Sequence, residues 1–255
     1  MPFLNRQRAP IAVMVFLLGF SSATRAADVR LAIAANFTDT ARKLITAFAD
    51  ESGLKASPSF GSTGKLYAQI QNGAPFDVFL AADSHRPALL EKSGQGVAGT
   101  RFTYATGKLV LWSPQRNTFD RPEDWLASTG FTRLAIANPK TAPYGLAAQQ
   151  VLAGLNLWEP LQQKLVRGDS IAQTFQFVAT ANVQAGFVAL SQVQAWESSG
   201  GSLWLIPQNL YSPIDQQAIL LSHGDGNDAA RQWLLFLQSK TARSIIERYG
   251  YETQR

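Results

Sequence analysis

The 255-residue sequence has no cysteine and only two histidines, His85 and His223. Without cysteine there can be no disulfide, thiolate zinc site, iron–sulfur cluster or thiol nucleophile, and two imidazoles do not make a His-rich metal centre. Charged residues are 16% of the chain, too few for a solvated tail or a coiled coil, and a 46% hydrophobic share argues against disorder. No apolar run reaches the roughly 20 residues that span a bilayer. There is no G-x-S-x-G elbow, and neither histidine has a recognisable triad partner. Gly61-Ser62-Thr63-Gly64-Lys65 fails as a phosphate loop, because Ser59 stands where the earlier glycine belongs and Leu66 follows the lysine. His223 to Asp228 lacks the alternating ligands and terminal Glu of a calcium loop, and reads as a turn and N-cap. Asp77 and Asp83 flank one apolar strand and read as a strand-end and a helix-capping residue rather than an acid–base pair. The six Trp and fifteen Phe are scattered without basic interleaving, as core packing requires and base stacking does not.

The first 26 residues have a basic start (Arg6, Arg8), a ten-residue apolar run from Ile11 to Phe20, and small residues ending Arg25-Ala26-Ala27. That is the pattern of a secretory signal peptide, with cleavage expected after Ala26. Residues 1–26 carry three arginines and no acid, so the net charge of +5 falls to +2 over the remaining 229 residues. The compositional case for nucleic acid disappears with the leader. A protein soluble outside the inner membrane is expected.

The rest of the chain alternates short apolar strands with helical patterns. Strands are expected at 29–34, 55–60, 78–82, 109–112, 134–137, 187–190, 203–206 and 218–221. Helices are expected at 37–50, 66–72, 145–154, 171–180 and, as one long closing helix, 229–249. Alternation of this kind makes α/β layers with parallel sheets. Two βα series bracketed by the strand-like segments 108–112 and 216–221 predict two Rossmann-like lobes, with the bracketing strands as crossovers. Lobe I is expected to hold 27–108 plus 218–255, and lobe II 109–217. Ligands of open α/β sheets sit at the carboxyl ends of strands, which places a cleft site between the lobes.

Four strand-to-helix junctions carry small or hydroxyl-bearing residues: Ala34 to Thr38, Phe60 to Lys65, Asn138 to Gly145 and Gly168 to Ile171. Asn36 reads as an N-cap whose amide can also donate, and Ser170 or Asp169 as another cap. Any one of these junctions reads as ordinary capping. Two per lobe, facing a cleft, present orphan N–H groups and positive dipole ends to one space. Six or seven hydrogen bonds to a charged ligand, at about 1.5–3 kcal/mol each, exceed an association cost of about 4–15 kcal/mol.

Ala34-Ala35-Asn36-Phe37-Thr38, Phe60-Gly61-Ser62-Thr63-Gly64, Asn72 to Asp83, Tyr104 to Ser113, Ala142 to Ala147 and the closing Arg248-Tyr249-Gly250-Tyr251 form a set of segments that resembles the periplasmic molybdate-binding proteins of ABC transporters. The resemblance covers nearly the whole chain after the leader, in order. It implies a type II periplasmic binding protein: a receptor, not an enzyme, whose two α/β lobes close on molybdate or tungstate. The implied ligand contacts are Asn36 with Ala35, Thr63 with Ser62, Tyr144, and Ile171 through its backbone. No direct protein–metal ligand and no cofactor are implied. Two positions depart from the commoner pattern, Asn36 for Ser and Ala189 for Tyr, and Lys65 has no assigned role. The implied partners are an inner-membrane permease and its ATPase, with the receptor monomeric and periplasmic and binding no nucleic acid. The alternatives are a receptor of the same fold for another oxyanion such as sulfate, a hydrolase using Asp77 or Asp83, and a cation receptor.

Overall fold

The computed structural model describes residues 28–128, 130–196 and 200–253. The expected signal peptide lies outside the described residues. Among the described residues, ten strands form two five-stranded sheets. The first contains β1 (Val29–Ala34), β2 (Ala56–Gly61), β3 (Val78–Leu80), β4 (Phe102–Gly107) and β10 (Ile214–Leu220), in the order β2-β1-β3-β10-β4. The second contains β5 (Leu109–Ser113), β6 (Leu134–Ala137), β7 (Leu165–Gly168), β8 (Ala185–Ala189) and β9 (Ser202–Leu205), in the order β7-β6-β8-β5-β9. The two-lobed α/β architecture is therefore as the sequence predicted.

The sheets are mixed rather than wholly parallel. In each, three parallel strands are joined through crossover helices, and β10 or β5 then runs antiparallel beside them. The reversal follows from the path of the chain, because β5 enters its sheet directly from the other lobe and β10 returns to the first sheet from the second. The first crossing is only Lys108, between β4 and β5, and the second runs from Ile206 to Pro213. The segments expected to be crossovers are thus strands belonging to one sheet each. β10 pairs with β4 from Ile214 onward, so 214–217, expected in lobe II, lie in the first sheet.

The helices that matter for the site are α1 (Thr38–Ser52), α2 (Thr63–Gln71), α3 (His85–Lys92), α5 (Pro143–Gly154), α7 (Ile171–Ala179) and α8 (Leu190–Ala195). α4 (Pro122–Ala127) and α6 (Trp158–Leu161) are short. α1 packs Ala41, Leu44 and Phe48 on one face of the first sheet, together with Trp233 and Phe236; α2 packs Leu66 and Ile70 on the other. Apolar spacing of three and four residues produces these stripes. The expected long closing helix is two, α9 (Asp228–Leu237) and α10 (Lys240–Arg248). Ser239 breaks it, because its hydroxyl accepts from the Ala242 N–H at 3.1 Å and caps α10. The His223–Asp228 segment is a turn, with the Asn227 side chain capping α9, and Asp83 accepts the Arg86 N–H at 2.8 Å at the start of α3.

Candidate functional site

Each sheet has a point where the chain reverses its winding direction. β1 is flanked by β2 and β3, and β6 by β7 and β8. The carboxyl ends of these strands face each other, and a helix starts at each. A short 3-10 turn, Ala35–Phe37, follows β1; α2 follows β2, α5 follows β6 and α7 follows β7. These four helix starts enclose a small, tight cavity between the lobes. Ala35, Asn36, Ser62, Thr63, Tyr144 and Ile171 all line it. Ala34, Ala82, Ala142 and Pro143 complete the wall, and no lining residue is charged. All four junctions singled out from the sequence meet in this one space.

The polar groups are arranged for donation. Ser62 is the N-cap residue of α2, yet its hydroxyl caps nothing; it is buried and has no hydrogen-bond partner. A buried hydroxyl without a partner costs free energy that a ligand can recover. Thr63 accepts from the Ala82 N–H at 3.1 Å, which leaves its own proton to give. Tyr144 opens α5 behind Pro143, and its hydroxyl accepts from Gln216 Nε2 at 3.3 Å. Burial holds the phenols of Tyr144, Tyr104 and Tyr251 above the ordinary tyrosine range, so each remains a neutral O–H. Ser170 caps α7 by accepting from the Gln173 N–H at 3.2 Å, and leaves Ile171 at the first helical position. The first N–H groups of a helix have no partner within the helix, so the backbones of Tyr144, Ile171 and Thr63 bring donors as well as positive dipole ends. Gly145 allows α5 to begin so close: a Cβ there would lie 2.3 Å from the Ala137 carbonyl oxygen.

Asn36 corrects the capping expectation. Ala34 is the N-cap residue, and Asn36 sits inside the 3-10 turn. Both hydrogens of its amide are used within the protein, on Gln216 Oε1 at 2.9 Å and Tyr251 Oη at 3.0 Å. Its Nδ2 therefore has no hydrogen left for a ligand. Tyr251 and Ser191 both donate back to the Asn36 carbonyl, at 2.9 and 3.1 Å. Gln216, Tyr251, Ser191 and Tyr104 were not foreseen. The signal for Gln216 was its place in a strand pattern, two residues from Ile214 and two from Ala218, where an apolar residue is the rule at a buried position.

Bonds across the mouth hold the lobes together. The Gly64 N–H donates to the Thr141 carbonyl at 2.9 Å, Arg86 Nη2 to the Lys140 carbonyl at 3.1 Å, and Lys65 pairs with Asp169 at 2.8 Å. Lys65, the cation nearest the Gly-Ser-Thr-Gly turn in sequence, is thus neutralised from the opposite lobe. Among the described residues no group of three or more Asp, Glu or His could hold a metal ion. No helix among them is long and apolar enough to cross a membrane.

A two-lobed α/β chain with a neutral, donor-lined interlobe cavity defines a solute-binding protein. The chain belongs to the bacterial extracellular solute-binding protein family, whose model matches residues 29–252. Its relatives within that class include the molybdate-binding protein ModA of Azotobacter vinelandii, 52% identical over 233 residues and covering 91% of this chain and 92% of that one. ModA of Rhodobacter capsulatus is 44% identical over 252 residues, 99% of each chain. The solved Azotobacter vinelandii periplasmic molybdate-binding protein matches with a TM-score of 0.86 at 39% identity, over 89% of this chain and 100% of that one.

Proposed function

We propose that the protein captures molybdate or tungstate in the interlobe cavity and delivers it to a membrane permease driven by an ATPase. The observation that carries this reading is the meeting of four helix starts around a cavity with no charged lining residue, where the Ser62 hydroxyl has no protein partner. Such a site suits a small, fully deprotonated tetrahedral dianion, which accepts hydrogen bonds and offers none. Ala35, Asn36, Ser62, Thr63, Tyr144 and Ile171 are the proposed contacts. The relatives named for molybdate support the choice of anion. Donors alone disfavour protonated phosphate, whose hydroxyl needs an acceptor. Sulfate has shorter bonds to oxygen and would leave some donors stretched. Export to the periplasm by residues 1–26, lobe boundaries close to those expected, and action as a monomer complete the proposal.

Competition calorimetry tests it. Molybdate and tungstate are expected to bind with micromolar or tighter affinity, about −8 kcal/mol or better, and sulfate much more weakly. Equal affinity for sulfate would refute the assignment.

A further inference from the structure

Gln216 does not line the cavity, yet it touches two lining residues from opposite lobes. Its Oε1 accepts from Asn36 Nδ2 at 2.9 Å and from the Tyr104 hydroxyl at 3.1 Å, and its Nε2 donates to Tyr144 Oη at 3.3 Å. The side chain is fully buried, where the register of β10 slips between Gln216 and Gln217. The Asn36 amide donating to Oε1, with the single Tyr104 proton shared between Oε1 and the Ala81 carbonyl at 3.2 Å, sets which way the carboxamide faces, so that its N–H groups point towards Tyr144. A phenol oxygen that accepts a hydrogen bond has its own proton left to give. Among the described residues, Tyr144 Oη donates to no protein acceptor.

A second observation concerns the pivot. Gly107 ends β4, next to the single-residue crossing at Lys108. A Cβ on Gly107 would lie 2.0 Å from Tyr144 Oη and 2.7 Å from Gln216 Nε2. The missing side chain leaves the space that this bond occupies. Gln216 stands on a strand of the first sheet and Tyr144 on a helix of the second lobe, so the bond links the two lobes.

We propose that Gln216 is a positioning residue for anion capture. On closure it occupies a lone pair of the Tyr144 oxygen and turns the phenol proton towards the bound oxyanion, with Gly107 making room at the hinge. Closure thereby sets the polarity of a donor as well as its position. The proposal rests on the oxyanion reading above.

The test measures molybdate affinity and dissociation rate for the mature protein, Gln216→Leu, Gly107→Ala, Tyr144→Phe, and each of the first two combined with Tyr144→Phe. Each single change is expected to weaken binding about 10- to 100-fold, mostly through faster dissociation. Once the phenol is gone, Gln216→Leu and Gly107→Ala should cost clearly less than they do alone, because the share of each effect that passes through that oxygen is already lost and only the share through Asn36 and the crowding at Gln216 Nε2 remains. Wild-type affinity in Gln216→Leu, or losses that multiply in the double variants, would overturn the proposal. If Gln216→Leu does not fold, Gly107→Ala carries the same comparison without removing a polar group. A wild-type protein that binds no molybdate would refute the parent reading; tight wild-type binding with additive variants refutes this inference alone.

Discussion

At the scale of single residues the site depends on hydroxyls that the fold leaves unpaired. Ser62 Oγ is buried without a partner, so Ser62→Ala removes a proposed ligand contact and no protein hydrogen bond. Its expected effect is a 10- to 100-fold loss of molybdate affinity, about 1.5–3 kcal/mol. The stability of the free protein should stay within about 0.5 kcal/mol of wild type. Calorimetric titration with a parallel melting curve checks both. The buried phenols of Tyr104, Tyr144 and Tyr251 give a pH signature. Burial raises each above its unfolded value of about 10. Each contributes stability that is fully present below pH 10 and is lost as pH rises further, because the unfolded chain ionises first. The melting temperature is expected to fall steeply only above about pH 10, and less steeply in Tyr251→Phe. An equal slope in that variant would show that Tyr251 is not withheld from ionisation.

At the scale of elements, helix starts decide the chemistry. Most of this was legible as strand-to-helix junctions, since Ser, Thr, Asn and Gly cluster where apolar runs change period. What each side chain does was less legible. Ser170 caps its helix as expected; Ser62 does not cap, and Asn36 spends its amide on residues 180 and 215 positions away. Local sequence cannot weigh a nearby cap against a distant partner. The α2 start also forms a clasp across the mouth. Lys65 and Asp169 are both largely exposed, so their ion pair contributes at most about 1 kcal/mol and is screened by salt. It forms only between closed lobes. Lys65→Ala should therefore raise the dissociation rate two- to fivefold at low salt, leave the association rate nearly unchanged, and lose its effect at high salt. Gly64→Ala should do more, because its Cβ would meet the Thr141 backbone at 3.0 Å and hold the lobes apart. Stopped-flow fluorescence at two ionic strengths measures both.

At the scale of the whole molecule, two sheets joined by a one-residue crossing and a longer return segment also share a buried apolar contact, where Ala34, Ala35, Ala82 and Ile214 of the first lobe meet the core of the second. Such a construction bends at the hinge rather than within either lobe. Molybdate at 100 times its dissociation constant should add about 2.7 kcal/mol to stability, and small-angle scattering should show a smaller radius of gyration with ligand than without. An unchanged radius together with full stabilisation would mean that the free protein is already closed.

The two α/β lobes and the four strand-to-helix junctions were legible in the sequence alone. These follow from periodicity and capping chemistry, which act over a few residues. That Gln216, Tyr251 and Ser191 support Asn36 and Tyr144, that β5 and β10 run antiparallel in their sheets, and that Lys65 is neutralised by Asp169 emerges only once the chain is folded. Each of those depends on atoms brought together from different lobes or distant strands. Hydrogen-bond partners at such separations are selected by packing, because a buried polar group must find a partner wherever the fold provides one.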